Sequence, residues 1–232
     1  MNMITKKGSF IIMYKSICLT LPLLLCAGLA HAEISPETEN YKGNLLKYPV
    51  ISLKKAGIAA KINKDVAKQI ALLKNDLKDN KGYADKISMS YKVLCETDKK
   101  LNILLYSWTY MNGAAHGMYF TTGLSYDLKT GQKALTEKLL ANATAAELDS
   151  GIRIGRYTLT NSSQLEMQLN DFWKVESISK ECILNPDGSL MLIYQPYDLA
   201  PYAYGNTFIK IPAKELPYLS GKSKTVSNLI DG

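Results

Sequence analysis

Histidine is nearly absent from this chain, with two in 232 residues. One of them, His31, falls in an N-terminal stretch that reads as a leader, which leaves His116 as the sole imidazole beyond it. A single histidine excludes a multi-histidine metal site and a two-histidine acid–base pair. No glycine-rich loop of the kind that cradles phosphates or a dinucleotide is present, and no serine stands in a Gly-x-Ser-x-Gly context. No run of lysine and arginine forms a nucleic-acid stripe. Repeats and low-complexity segments are absent, as is any apolar run after residue 32 long enough to span a bilayer. The expectation is therefore no metal, no cofactor, no nucleic acid and no membrane span after the leader.

What is present starts with an export signal. Lys6, Lys7 and Lys15 give a positive region, Ile17 to Leu25 is nearly all apolar, and Ala30-His31-Ala32 places small residues at both recognition positions. Cleavage is expected before Glu33, making residues 1–32 a signal peptide and the protein periplasmic or extracellular. An uncleaved anchor is the alternative, but Ile17–Ala30 falls short of the ~20 residues that a spanning helix needs. Leu23-Leu24-Leu25-Cys26 offers lipidation at Cys26 as a further alternative, with Leu rather than a small residue before the cysteine. Removing the segment takes away three lysines and no acid, so the net charge falls from +7 to +4. That mild excess fits a solvated surface, or weak attraction to anionic envelope polymers.

Cys18 and Cys26 leave with the leader. Cys95 and Cys182 remain, and an even count in an exported protein points to one disulfide between them. The bland alternative is two buried thiols acting as small hydrophobes.

Residues 33–44 are polar, contain Pro36 and read as a flexible arm. Leu45–Leu53 reads as a strand. From Ala56 to Asp79 the apolar residues Ile58, Ile62, Val66, Ile70, Leu73 and Leu77 recur at steps of three and four, one face of a long amphipathic helix. Its lysines lie on the other side as a solvated face. Lys86–Cys95 alternates, with Ile87, Met89, Tyr91, Val93 and Cys95 on one side. Leu101–Tyr110 carries Leu101, Ile103 and Leu105 on one face and Tyr106, Trp108 and Tyr110 on the other. Met118–Asp127 is a third strand. Short helices are expected from Thr136 and from Thr144, the latter with a capping box to Glu147, and another across Leu165–Val175. Asn185-Pro186-Asp187-Gly188 signals a hairpin, Asn206–Ile211 a last strand, and Pro212–Leu219 a short helix. The order predicts an α+β fold: a largely antiparallel sheet with one long N-terminal amphipathic helix and further short helices. The domain would span residues 45–219, with a division into 45–110 and 111–219 left open, and a frayed tail over 220–232.

Three segments carry a resemblance. Lys47-Tyr48-Pro49-Val50 leading to Ala59-Lys61-Ile62-Asn63 resembles the opening strand and helix of the PdaC/RsiV-like extracytoplasmic domains. The loop Tyr110-Met111-Asn112-Gly113-Ala114-Ala115-His116-Gly117, with Tyr126-Asp127-Leu128-Lys129-Thr130-Gly131, is similar to their Gly-Gly-Ala-His loop and following turn. Pro186-Asp187-Gly188 through Pro196-Tyr197, Ala200-Pro201-Tyr202-Ala203 and Gly205 resembles their C-terminal block. The chain departs from the pattern at Ala114, where the family has its second glycine. The resemblance implies an α+β fold outside the cytoplasm and a role in recognition: one member senses lysozyme by direct binding, and another accompanies a polysaccharide deacetylase domain without being its catalytic part.

The candidate binding residues are Asn112, His116, Tyr197, Tyr202 and Tyr204. His116 can serve as a base, a contact or an ordinary loop histidine. The tyrosines can offer rigid amphipathic contact area or simply pack their loop on the sheet. The expected function is an exported, non-catalytic binding module of the cell envelope whose partner is a protein, possibly lysozyme, or a cell-wall glycan. The alternative is an envelope hydrolase acting on polysaccharide or peptidoglycan with His116 as acid–base.

Overall fold

The structure, a computed structural model, describes residues 32–80 and 82–222. The leader and the last residues of the tail lie outside the described residues. Among the described residues ten strands form two sheets. The first is built from β1 (Glu33–Tyr41), β2 (Asn44–Ser52), β3 (Lys86–Glu96), β4 (Lys100–Tyr110) and β5 (Met118–Asp127), side by side in chain order. All its pairs are antiparallel except β2–β3, joined through Leu46 and Met89 in parallel. A parallel pair needs a crossover, and helix α1 (Ala56–Asn75) supplies it.

The second sheet contains β6 (Thr158–Thr160), β7 (Glu166–Met167), β8 (Cys182–Leu184), β9 (Leu190–Tyr194) and β10 (Thr207–Ile211), ordered β7-β6-β10-β9-β8 and antiparallel throughout. The short helices α2 (Thr136–Leu139), α3 (Ala145–Arg153) and α4 (Leu216–Leu219) accompany it. Thr144 caps α3 as its spacing predicts, its hydroxyl accepting the Glu147 N–H at 3.1 Å.

Side-chain alternation then produces three packed layers of core. Leu101, Ile103 and Leu105 of β4 face α1, whose Ile62, Val66, Ile70 and Leu73 fill the other side. Leu104 and Tyr106 point the opposite way and meet Ile183, Ile193 and Phe208 of the second sheet. Cys182, Leu192 and Ile209, on the far side of that sheet, join Leu148, Ile152 and Leu219. The central layer explains why β4 buries five residues in a row rather than alternating: both faces are covered.

The outer edge of β5 would leave a row of unpaired backbone groups. Side chains flanking β8 and β9 bond part of it. The Gln195 amide donates to Thr121 O at 3.0 Å and accepts the Thr121 N–H at 2.8 Å, while Glu181 Oε2 accepts the Gly123 N–H at 2.9 Å. A Cβ on Gly123 would lie 2.4 Å from Cys182 O, so only glycine permits this approach.

Five expectations are corrected. There are two sheets rather than one, and the long helix is internal, following two strands, rather than N-terminal. Residues 33–44 are not a loose arm: they contain β1 and the turn Lys42-Gly43, whose φ values of 50° and 80° suit a two-residue hairpin. Pro36 is accommodated because β1 is the edge strand. Leu165–Val175 holds no helix, only β7 and turns.

The fifth correction is the disulfide, since Cys95 and Cys182 are both free thiols. A bulge between Val93 and Cys95 shifts the register, so Val93 opposes Ile103 but Cys95 opposes Asn102, on the other face. Cys182 points away from the first sheet into the outer core, whereas its neighbour Ile183 points toward it. Cys182 is thus turned away from the sheet to which Cys95 belongs, and the two thiols are not joined. The division between residues 110 and 111 falls inside the first sheet, between β4 and β5.

Candidate functional site

His116 sits in the loop between β4 and β5. The loop lies so close to Trp108 that a Cβ on Gly117 would be 2.1 Å from the indole nitrogen. Positive φ occurs at Gly113 (88°) and not at Ala114, so the departure at Ala114 carries no backbone strain.

The chain returns to this loop from the second sheet. After β9, Tyr197 and Tyr202 approach from a segment pinned by backbone and side-chain bonds: Tyr197 N–H to Ala200 O at 3.1 Å, and Gln195 N–H to Asp198 Oδ2 at 2.8 Å. The Tyr202 ring stacks on the His116 imidazole with centroids 3.8 Å apart, its hydroxyl donating to Gly117 O at 2.8 Å. Tyr197 lies 5.8 Å from Tyr202, and Tyr119 of β5 lies 6.1 Å from it on centroids. All four rings are within about 30° of parallel to their neighbours.

Both imidazole nitrogens are engaged. Nδ1 is 3.0 Å from Gly117 O, which can only accept, so the neutral ring carries its proton there. Nε2 then accepts from the Tyr197 hydroxyl at 3.2 Å. Among the described residues no carboxylate hydrogen-bonds His116, so no base–orienter pair of the hydrolytic kind is formed. Burial raises the Tyr202 phenol above its ordinary value, and the nearby Tyr119 and Tyr197 hydroxyls add to it.

Tyr197 stands out for its backbone. It holds φ 75°, a left-handed conformation that a bulky residue rarely adopts, and its side chain is 57% exposed. Strain of this kind persists where the surroundings over-determine it, and it clusters at ligand contacts. Beside it a cavity of about 420 Å³ is lined by Phe172, Trp173, Leu199 and Pro201 as well as Tyr197.

Of the five candidate residues read from the sequence, three converge. Asn112 does not: it is exposed, and its backbone N–H donates to Asp85 Oδ2 at 2.7 Å. Tyr204 turns the other way, meeting Trp173 edge-on at 5.0 Å and packing on the outer core. Tyr119 joins the cluster although no motif marks it. Its only signal in the sequence is its place on the alternating third strand, opposite Trp108 in register.

The later part of the chain has a recognisable relative. Residues 132–214 match the family model described as protein of unknown function, DUF3298. The match takes in Tyr197 and Tyr202 but not His116 or Tyr119, so the aromatic cluster straddles its boundary. A DUF3298 family protein from Pseudomonas aeruginosa PAO1 shares the fold, with a TM-score of 0.53 and 19% identity over 82% of this chain and 94% of that one. A DUF3298 family member from Bacteroides fragilis NCTC 9343 does so with a TM-score of 0.50 and 18% identity over 81% and 94%. A search of curated proteins finds no match. Among the described residues no group of metal-ligating side chains is assembled and no helix is long and apolar enough to cross a membrane.

Proposed function

We propose that this protein is an exported, non-catalytic binding module of the bacterial cell envelope, of PdaC/RsiV-like type, and that it recognises a cell-wall glycan through the surface formed by His116, Tyr119, Tyr197 and Tyr202. The observation that carries the reading is the near-parallel pile of rings around Tyr202, with Tyr197 held strained and exposed at its rim. Sugar rings present an apolar C–H face and a rim of hydroxyls. Tyrosine offers the complementary pair, a flat apolar body and a polar tip. The Tyr197 hydroxyl donates to His116 and keeps acceptor capacity for a ligand hydroxyl. Against the hydrolase reading stands the engagement of both His116 nitrogens with groups that supply no carboxylate partner.

The test is titration of soluble peptidoglycan fragments into purified protein, with lysozyme as a parallel arm. Tyr197→Ala and Tyr202→Ala should each weaken glycan binding about tenfold, equivalent to about 1.4 kcal/mol. Lysozyme binding that disappears in the same variants, without glycan binding, would move the reading to a protein partner. Glycan cleavage abolished by His116→Ala would replace it with the hydrolase.

A further inference from the structure

The turn that carries Phe172 is tied down on both sides. Asn170 Oδ1 accepts the Phe172 and Trp173 N–H groups at 2.8 and 2.9 Å, and Arg153 of α3 donates to Asn170 O at 3.1 Å. Asp149, also on α3 and paired with Arg153, accepts the Val175 N–H at 3.0 Å. Trp173 meets Tyr204 edge-on, which links the turn to the segment that delivers Tyr197 and Tyr202. Yet the Phe172 side chain is 91% exposed. A fixed backbone thus holds a large apolar ring in water, where it packs on almost nothing of its own chain. An exposed aromatic beside a cavity is the kind of surface that a ligand covers.

That cavity, of about 420 Å³, has Phe172 and Tyr197 in its lining, together with the buried Leu199 and Ala200. Its size falls within the range of small-molecule sites, roughly 300–1,000 Å³. Tyr197 belongs to two places at once: it lines the cavity, and its ring lies 5.8 Å from that of Tyr202 in the aromatic cluster. The surface proposed for glycan binding is therefore continuous with the cavity through one side chain. The polar lining is Lys174, Glu176 and Asp198. Lys174 and Glu176 pair at 3.9 Å. Asp198 Oδ2 accepts the Gln195 N–H, and the same carboxylate has further acceptor sites for hydroxyl donors.

We propose that this cavity is a second subsite of the glycan surface, so that the protein binds a chain of at least two neutral sugar rings rather than a single sugar. The proposal rests on the glycan reading above. One ring lies against the pile formed by His116 and Tyr202. The next lies past Tyr197 in the cavity, where Phe172 covers its C–H face and Asp198 accepts a hydroxyl. A neutral sugar fits this lining better than an acidic one, because the cavity already carries two carboxylates to one ammonium.

The test is nuclear magnetic resonance titration of purified protein with N-acetylglucosamine and chitotetraose, neutral probes of one ring and of four. Chitotetraose should bind at least about tenfold tighter than the single sugar. Phe172→Ala, at an exposed position, should lose about tenfold in chitotetraose affinity and leave N-acetylglucosamine binding unchanged. Phe172→Tyr keeps a ring there and should bind as the parent does. Tyr202→Ala should weaken both probes. Equal affinity for the two probes, or unchanged chitotetraose affinity in Phe172→Ala, would overturn the second subsite; if Tyr202→Ala still weakened binding, the glycan reading would stand without it. Absence of saturable binding by both probes would also overturn the subsite, and peptidoglycan fragments titrated alongside then decide the glycan reading by themselves.

Discussion

The imidazole of His116 and the phenol ring of Tyr202 lie face to face with centroids 3.8 Å apart, although they come from different sheets' loops. The Tyr202 hydroxyl and His116 Nδ1 both meet the same carbonyl, that of Gly117, at 2.8 and 3.0 Å. One backbone oxygen thus fixes both rings. Tyr202→Phe removes one hydrogen bond and keeps the stack, so it should cost about 1 kcal/mol of stability and little binding. Tyr202→Ala removes the stack and should weaken ligand binding well beyond its effect on unfolding. Urea melts alongside titration separate the two. Equal loss of binding in both variants would show that the hydroxyl, and not the ring, makes the contact.

Asn63 clamps helix to sheet. Its amide donates to Ile51 O at 2.8 Å and accepts the Ile51 N–H at 2.9 Å, satisfying both backbone groups of one β2 residue. Asn63→Ala leaves a donor and an acceptor part-buried and unpaired, an expected loss of about 2 kcal/mol in chemical denaturation. A change within a few tenths of that of a surface substitution would mean that water replaces the amide.

Gly123 marks a close approach of the two sheets, with Cys182 O in the place of a side chain. Gly123→Ala should destabilise the fold by about 1–3 kcal/mol or more, because backbone rather than a flexible side chain must move. Gly57→Ala, where a Cβ meets nothing within 4 Å, is the control and should be neutral or stabilising. Similar melting temperatures for the two variants would contradict the close approach.

With the leader removed, the two remaining cysteines should titrate as two thiols once the protein is denatured, and the intact mass should show no loss of two hydrogens. In the native state Cys95, half-buried, should react before the buried Cys182, whose thiol is pushed up by burial. A denatured protein without reactive thiols would restore the disulfide.

Glu181 gives a pH dependence with a definite sign. Burial raises its folded pKa, against the opposing pull of the Gly123 N–H and Lys133. The folded state therefore holds the proton more tightly, and stability falls as pH rises from the ordinary carboxylate range through the raised folded value. Glu181→Gln keeps the acceptor and removes that loss. Its melting temperature relative to the parent should climb across this window and level off above it. Asp127 and Asp187 act in the opposite sense. Hydrogen bonds from Thr130 and Ser189 respectively lower their pKa values, so their contribution is present above the ordinary value and lost as pH falls through the lowered one. A pH-independent difference between Glu181→Gln and the parent would refute the assignment.

Local periodicity determined the parts of this protein that depend on near neighbours. The three- and four-residue steps from Ile62 to Leu73 specify α1 because a helix buries one stripe, and Ile62, Val66, Ile70 and Leu73 are buried. The Thr144 cap and the hairpin turn before Ser189 were legible for the same reason, since their hydrogen bonds close within a few residues. The motifs that held His116, Tyr197 and Tyr202 were visible as separate loops. Tertiary structure decided what those loops do together. His116 and Tyr197 are 81 residues apart in sequence, and no pattern within either loop encodes the distance between them. Tyr119 entered the site only because β5 is the edge against which the second sheet docks. The split into two sheets, the bulge that turned Cys95 to the other face and the separation of the thiols all depend on which faces bury against which. That choice is made by packing across the whole domain, where a one-residue shift in register exchanges the two sides of a strand.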